Sequence, residues 1–163
     1  MDIEKMMREI IPPNERQHRE SFSNIALVEK LTPTEKTEVE NNLIEKLNEP
    51  DDSIDFLIVE TLAYLKSVKA LPVLYNKLDN DYENKFTKLI LAVSIFEINM
   101  DSNMINIAIN SVKTLDKWGL ISAFYYLSKF HSPSTNAVIK KYVNHKDYLV
   151  SYNARRFYKS NLF

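Results

Sequence analysis

The sequence predicts an all-α chain, an α-solenoid of about nine helices stacked as antiparallel pairs. Three observations carry that reading. Gly119 is the only glycine in 163 residues, which leaves almost nothing for the tight turns, strand bulges and phosphate loops that draw on glycine. Helix-start signals recur along the chain, each a Ser, Thr, Asp or Asn ahead of apolar residues at three- and four-residue spacing. The starts are also periodic. First helices of successive pairs open at Asp52, Asp81, Asp116 and Asp147, intervals of 29, 35 and 31 residues. Second helices open at Thr32, near Lys69, and at Ser102 and Ser132, intervals of 37, 33 and 30. A two-helix unit that cannot bury both faces alone stacks on its neighbours. A plain helical bundle is the alternative, since amphipathic helices with short connections serve either architecture.

Taken in order, Ile3, Met6, Met7 and Ile10 predict a short helix within residues 1–13, a cap or an arm, closed by Pro12-Pro13. Residues 14–48 form the first pair. Its first helix runs from Asn14, as N-cap, to about Lys30, with Phe22, Ile25 and Ala26 inward. Its second follows Thr32-Pro33-Thr34-Glu35, where a cap threonine, an N1 proline and a glutamate three residues on make a capping box. That helix turns Val39, Leu43, Ile44 and Leu47 inward. Residues 52–79 make the clearest hairpin, capped by Asp52 or Ser53, with Phe56, Val59, Leu62 and Ala63 before the turn and Leu71, Leu74, Tyr75 and Leu78 after it. Pairs follow at 81–115 (Phe86, Leu89, Ile90, Val93, Phe96; then Ile105, Ala108, Ile109, Val112) and 116–144 (Leu120, Ala123, Phe124, Leu127; then Ala137, Val138, Tyr142, Val143). A terminal helix over 147–160 carries Val150, Ala154 and Phe157.

The hairpin TLAYLKSVKALPVLYNKL, Thr61 to Leu78, resembles short HEAT-like repeats of bacterial proteins, in which an Ala-Leu-Pro-x-Leu run opens the second helix. Ala70, Leu71, Pro72 and Leu74 match it. The Asp-led first helices with a small residue about seven positions on, Ala123 after Asp116 and Ala154 after Asp147, are similar to the family too. The resemblance spans about residues 32–160 and implies a right-handed solenoid. Two departures stand against it: the turn carries Ala63 and Lys66 where such repeats have glycine, and the period is shorter than that of long HEAT repeats. A non-glycine residue in the left-handed region there costs about 1 kcal/mol.

Motifs for cofactor chemistry are missing from the sequence. Neither GxGxxG nor GxxxxGK occurs, and there is no cysteine for a disulfide or a thiolate-ligated metal. His18, His131 and His145 are isolated, without metal-ligand spacing. There is no GxSxG elbow, and the serines sit where caps belong. The expectation is a non-enzyme without cofactor or metal. The N-terminal stretch mixes charges with apolar residues and has no run of the roughly 20 apolar residues a membrane span needs, so the chain reads as a soluble, unprocessed, cytoplasmic protein.

Charge supplies the functional signal. The formal net charge is only −1 and the pI about 6.3, which argues against nucleic acid as the main partner. Residues 32–60, however, hold 9 acidic and 2 basic side chains, and residues 129–163 hold 7 basic and 1 acidic. On the helix after Thr32 the core positions leave Glu38, Asn42, Glu45 and Glu49 outward, and Asp51, Asp52 and Asp55 extend the acidic field across the next turn. Tyr82 and Trp118, beside the starts at Asp81 and Asp116, are aromatic anchors of the kind interfaces use. Packing against the neighbouring repeat is the alternative for both. Together these residues form the candidate partner-binding set. HEAT-like chains that accompany bacterial secreted toxins imply an immunity protein, which neutralises a cationic partner toxin, a basic nuclease, by covering its active site as the monomeric half of a heterodimer. The alternatives are a nucleic-acid binder using Lys140, Lys141, Lys146, Arg155, Arg156 and Lys159, or a general adaptor.

Overall fold

The computed structural model describes residues 2–51 and 53–159. Among these the chain forms eleven α-helices and one 3-10 turn, and no strand. Helix α1 (Ile3–Ile10) is capped by Asp2, whose side chain accepts from the Lys5 amide. The single helix expected from Asn14 to Lys30 is two short ones, α2 (Arg16–Arg19) and α3 (Ile25–Glu29). This split takes the helix count past nine.

The split has a local cause. Ser21 sits in the left-handed region at φ 59°, which ends α2, and the buried Asn24 is spent on tertiary ties instead of a helix cap. Its Nδ2 donates to Ile10 O at 3.1 Å and to Thr61 Oγ1 at 2.7 Å. The inward phase of α3 shifts accordingly: Val28 is fully buried, whereas Ile25 and Ala26 are exposed. Asn14 caps nothing; Glu15 holds that position without a side-chain cap bond.

The capping box predicted at Thr32 opens α4 (Pro33–Asn48). Thr32 Oγ1 accepts from Glu35 N at 3.3 Å, and Glu35 Oε2 accepts from Thr32 N at 2.7 Å. Helix α5 (Phe56–Tyr64) is capped by Asp55, whose Oδ1 accepts from Leu57 N at 3.0 Å. Asp52 lies outside the described residues, and Ser53 is held in a separate turn by Asp51 Oδ1. A 3-10 turn (Val68–Ala70) leads into α6 (Leu71–Leu78). Helix α7 (Thr87–Asn99) starts six residues after Asp81, because Asn84 Oδ1 accepts from Phe86 N and holds the intervening loop. Helices α8 (Asn103–Val112), α9 (Lys117–Ser128), α10 (Pro133–Lys140) and α11 (Tyr148–Phe157) follow, with Asp116, Ser132 and Asp147 each capping the next helix through its side chain. Helix α10 stops before Tyr142 and Val143, and its buried residues are Thr135 and Ile139; Ala137 is exposed.

Helices α5, α7, α9 and α11 touch in succession, and α4 packs on α6 as α8 does on α10. Their first residues, Phe56, Thr87, Lys117 and Tyr148, are spaced 31, 30 and 31 apart, more evenly than the loop aspartates suggested. Helix α7 is central. It contacts α5, α6, α8 and α9, and the unbroken run Leu89 to Phe96, apolar except for Ser94, is buried, so the helix is covered all round instead of on one face. Three consecutive members of this row leave the helix through a non-glycine residue in the left-handed region: Lys66 at φ 55° after α5, Met100 at 58° after α7 and His131 at 46° after α9. The strained turn expected around Lys66 is therefore a repeated feature.

Candidate protein-binding surface

Glu38, Asn42, Glu45 and Glu49 follow one another on α4 at steps of four, three and four residues, which aligns them in one stripe. The three glutamates are exposed. Among the described residues, none of their carboxylates takes part in an ion pair or side-chain hydrogen bond. Asn42 is half-buried: its Nδ2 donates to Glu38 O at 2.9 Å and it lines a cleft of about 280 Å³ against Ile3, Met7 and Ile11 of the α1 region. The other two acids of this helix have partners: Glu35 closes the capping box, and Glu40, on a different side from the stripe, lies 3.6 Å from Lys69 Nζ.

The stripe leads to the connection between α4 and α5. There an open groove of about 740 Å³ separates this connection from the one between α6 and α7. Asp51, Asp81 and Glu83 line it over an apolar floor of Ile54, Phe56 and Tyr82, and no lysine or arginine is among its described lining residues. Asp81 is met at 3.7 Å by Lys88, but its side chain is 97% exposed, so solvent screens most of that attraction. A smaller groove next to it brings Glu49, Asp51 and Asp55 opposite Lys46 and Lys77. The wider groove thus has only acids among its charged lining residues, and the smaller one carries both signs.

Not every expected site residue belongs to that surface. Asp55 is committed internally. Arg19 grips it with Nη1 and Nη2 at 3.0 and 2.8 Å, and the same guanidinium reaches Pro12 O. With both side chains mostly buried, this bidentate pair ties the N-terminal segment to α5. Tyr82 is buried, not an exposed anchor: its hydroxyl donates to Lys77 O at 2.7 Å, and burial pushes its pKa up. It is tied to the C-terminal end of α6 while contributing to the lining of the groove. Trp118 is 67% exposed, at the start of α9, far along the helix order from the acidic stripe.

Glu83 and the Ser53 turn were missed as parts of the site, and Asp81 enters the sequence reading only as the helix start beside Tyr82. The signal for them was present in Asp79-Asn80-Asp81-Tyr82-Glu83, a run of alternating acids between two helices. What the sequence does not display is that two connections about 30 residues apart face one another, which follows from α5 packing on α7.

The C-terminal end has the opposite character. Lys140, Lys141, Lys146, Arg155, Arg156 and Lys159 are all exposed. Asp147, the acid in this segment, is taken up by Lys117 Nζ at 2.6 Å; that contact and the amides of Leu149 and Val150 hold its pKa below the usual carboxylate range. Arg155 Nε donates to Val143 O, and the Arg156 guanidinium stacks 5.3 Å from the Phe157 ring centroid.

Of the three histidines, His145 accepts from Asp147 N through Nδ1, His131 occupies its left-handed turn, and His18 lies 3.7 Å from Glu15. Among the described residues no group of three or more Asp, Glu or His is placed to hold a metal ion. No helix among them is long and apolar enough to cross a membrane. Comparison of the chain with protein-family models, with curated proteins and with solved structures returned no match.

Proposed function

We propose that this chain is a non-catalytic protein-binding module whose acidic side receives a cationic protein. In its sharper form the proposal is an immunity protein that neutralises a cognate secreted bacterial toxin, a basic nuclease, by occluding its active site. The observation that carries it is the unpaired stripe Glu38, Glu45 and Glu49 running into a groove lined by Asp51, Asp81 and Glu83. A nuclease presents cations where its substrate's phosphates lie, and carboxylates spread over a helix and two connections offer them the same sign of charge. Such a field accelerates encounter more than it deepens the final well. This reading also takes the helix pairs as a right-handed HEAT-like solenoid, supported by the order in which α5, α7, α9 and α11 touch, and places its work in the cytoplasm as a monomer in a one-to-one complex.

Co-expression is the test. A nuclease toxin domain that kills alone is produced with this chain, growth is followed, and the complex is purified. Protection with stoichiometric co-purification supports the proposal. If no basic toxin domain from the same genetic neighbourhood is bound or inhibited, the immunity reading is lost.

A further inference from the structure

Five of the nine large hydrophobic side chains exposed among the described residues lie on α9 and α11: Trp118, Tyr125, Tyr148, Leu149 and Tyr152. Three of them form one patch. Lys117 Nζ is 2.6 Å from Asp147 and 5.1 Å from the Trp118 ring centroid, which sets that ring beside the start of α11. Tyr148 follows Asp147 directly, and its ring stacks on Tyr152 with centroids 6.0 Å apart and planes 28° from parallel. Tyr148 is 74% and Trp118 67% exposed. Lys146, Arg155 and Arg156 are exposed on or just before α11, and of the two acids at these helix starts Asp147 is paired with Lys117 while Asp116 caps α9 through the Gly119 amide. Helix α11 thus carries stacked aromatic rings together with two exposed arginines.

The surface complementary to this one is on the same molecule. At the opposite end of the contact order, α4 carries three exposed glutamates without ion partners, next to the cleft floored by Ile3, Met7 and Ile11, which Arg8 and Lys46 also line. We infer that a second copy of this chain docks here, the aromatic and basic face of α11 and the start of α9 meeting the acidic side of α4. The two patches differ, so the contact is head-to-tail and open-ended, without the closed symmetry of a twofold dimer. The stacked tyrosines and Trp118 are its anchors, the opposed charges set its register and make it salt-sensitive, and a cationic partner on α4 competes with it.

Sedimentation velocity on the isolated chain, with no partner present, tests this apart from the toxin reading. Two variants each remove one face: Glu38→Lys with Glu45→Lys, and Tyr148→Ser with Tyr152→Ser. All four positions are exposed, and circular dichroism checks that both variants fold. The wild type is expected to form a concentration-dependent series of oligomers at low salt, weakened at least tenfold by about 0.5 M salt. Each variant alone stays monomeric. Mixed, they form a dimer and nothing larger, because only one intact contact exists between them. A wild type that stays monomeric, a mixture that yields no dimer, or a wild type that closes at a dimer overturns the inference. So does a monomeric chain that binds a labelled 15-mer single strand through Tyr148 and Tyr152, which would make an anionic polymer the occupant.

Discussion

The Tyr126 hydroxyl donates a 2.6 Å hydrogen bond to Glu60 Oε1 across 66 residues, fastening α9 to α5 on the side of α7 where both reach. Phe56, Phe86 and Tyr126 form a ladder beside it, with ring centroids 6.1 and 5.5 Å apart. Burial, with the Glu60 charge behind it, pushes the Tyr126 hydroxyl pKa far up. Tyr126→Phe leaves a half-buried carboxylate without its donor and is expected to cost about 1–3 kcal/mol, read as a lower urea midpoint at unchanged slope. Glu60→Gln keeps an acceptor oxygen and costs less. Equal stability in Tyr126→Phe would show the bond to be incidental.

Arg19 and Asp55 make the second long-range tie. Asp55 also caps α5 and Arg19 also holds Pro12 O, so Asp55→Ala removes the pair and the helix cap where Arg19→Ala removes the pair and the hold on the N-terminal segment. Arg19→Ala is expected to raise amide exchange in α2 and α3 before it affects α7, and Asp55→Ala to lower global stability by about 2–4 kcal/mol. Matching exchange patterns in the two variants would contradict this division.

Met100 closes α7 at φ 58° with its side chain 68% exposed. Met100→Gly therefore removes strain while giving up little packing, and is expected to stabilise the fold by about 1 kcal/mol. Lys66→Gly gains less, because Lys66 Nζ donates to Glu97 O at 2.6 Å. Thermal unfolding of the two variants ranks them, and a lower melting temperature for Met100→Gly would argue against the strain.

Acid stability follows from carboxylates held below their usual range. The Tyr75 hydroxyl at 2.6 Å, with the Asn103 amide, lowers the Asp101 pKa; Lys117 and two amides lower that of Asp147. A depressed folded pKa contributes stability that is present above the unfolded value, about 3.9, and lost as pH falls through the folded one. Tyr75→Phe is expected to flatten the fall in stability below about pH 4, and Lys117→Met to do the same through Asp147. Urea titrations at stepped pH measure both slopes. Unchanged slopes would mean that neither carboxylate is depressed.

The helical class and most caps were legible in the residues because capping is local chemistry: Thr32 with Glu35, Ser132 with Pro133, and Asp116 and Asp147 each act within one turn of themselves. Several misreadings arose where a group outside the residue's own helical turn claimed it. Asn24 looked like part of a helix and serves as a bridge to Ile10 and Thr61; Asp55 looked like surface acid and is held by Arg19; Tyr82 looked like an anchor and is bound to Lys77 O. For the candidate surface, the α4 stripe was readable from helical spacing. Its continuation through Asp81 and Glu83 was not, because a groove between two connections exists only once α5 lies against α7.

Association kinetics with a cationic partner toxin domain, measured for the wild type and for Glu38→Lys/Glu45→Lys/Glu49→Lys across ionic strengths, test the central claim most directly. The expected result is an on-rate at least tenfold lower in the variant at low salt, a gap that closes as salt rises, and loss of protection against the toxin. Equal on-rates at low salt, with protection intact, would contradict the assignment of the acidic side of α4 as the binding surface.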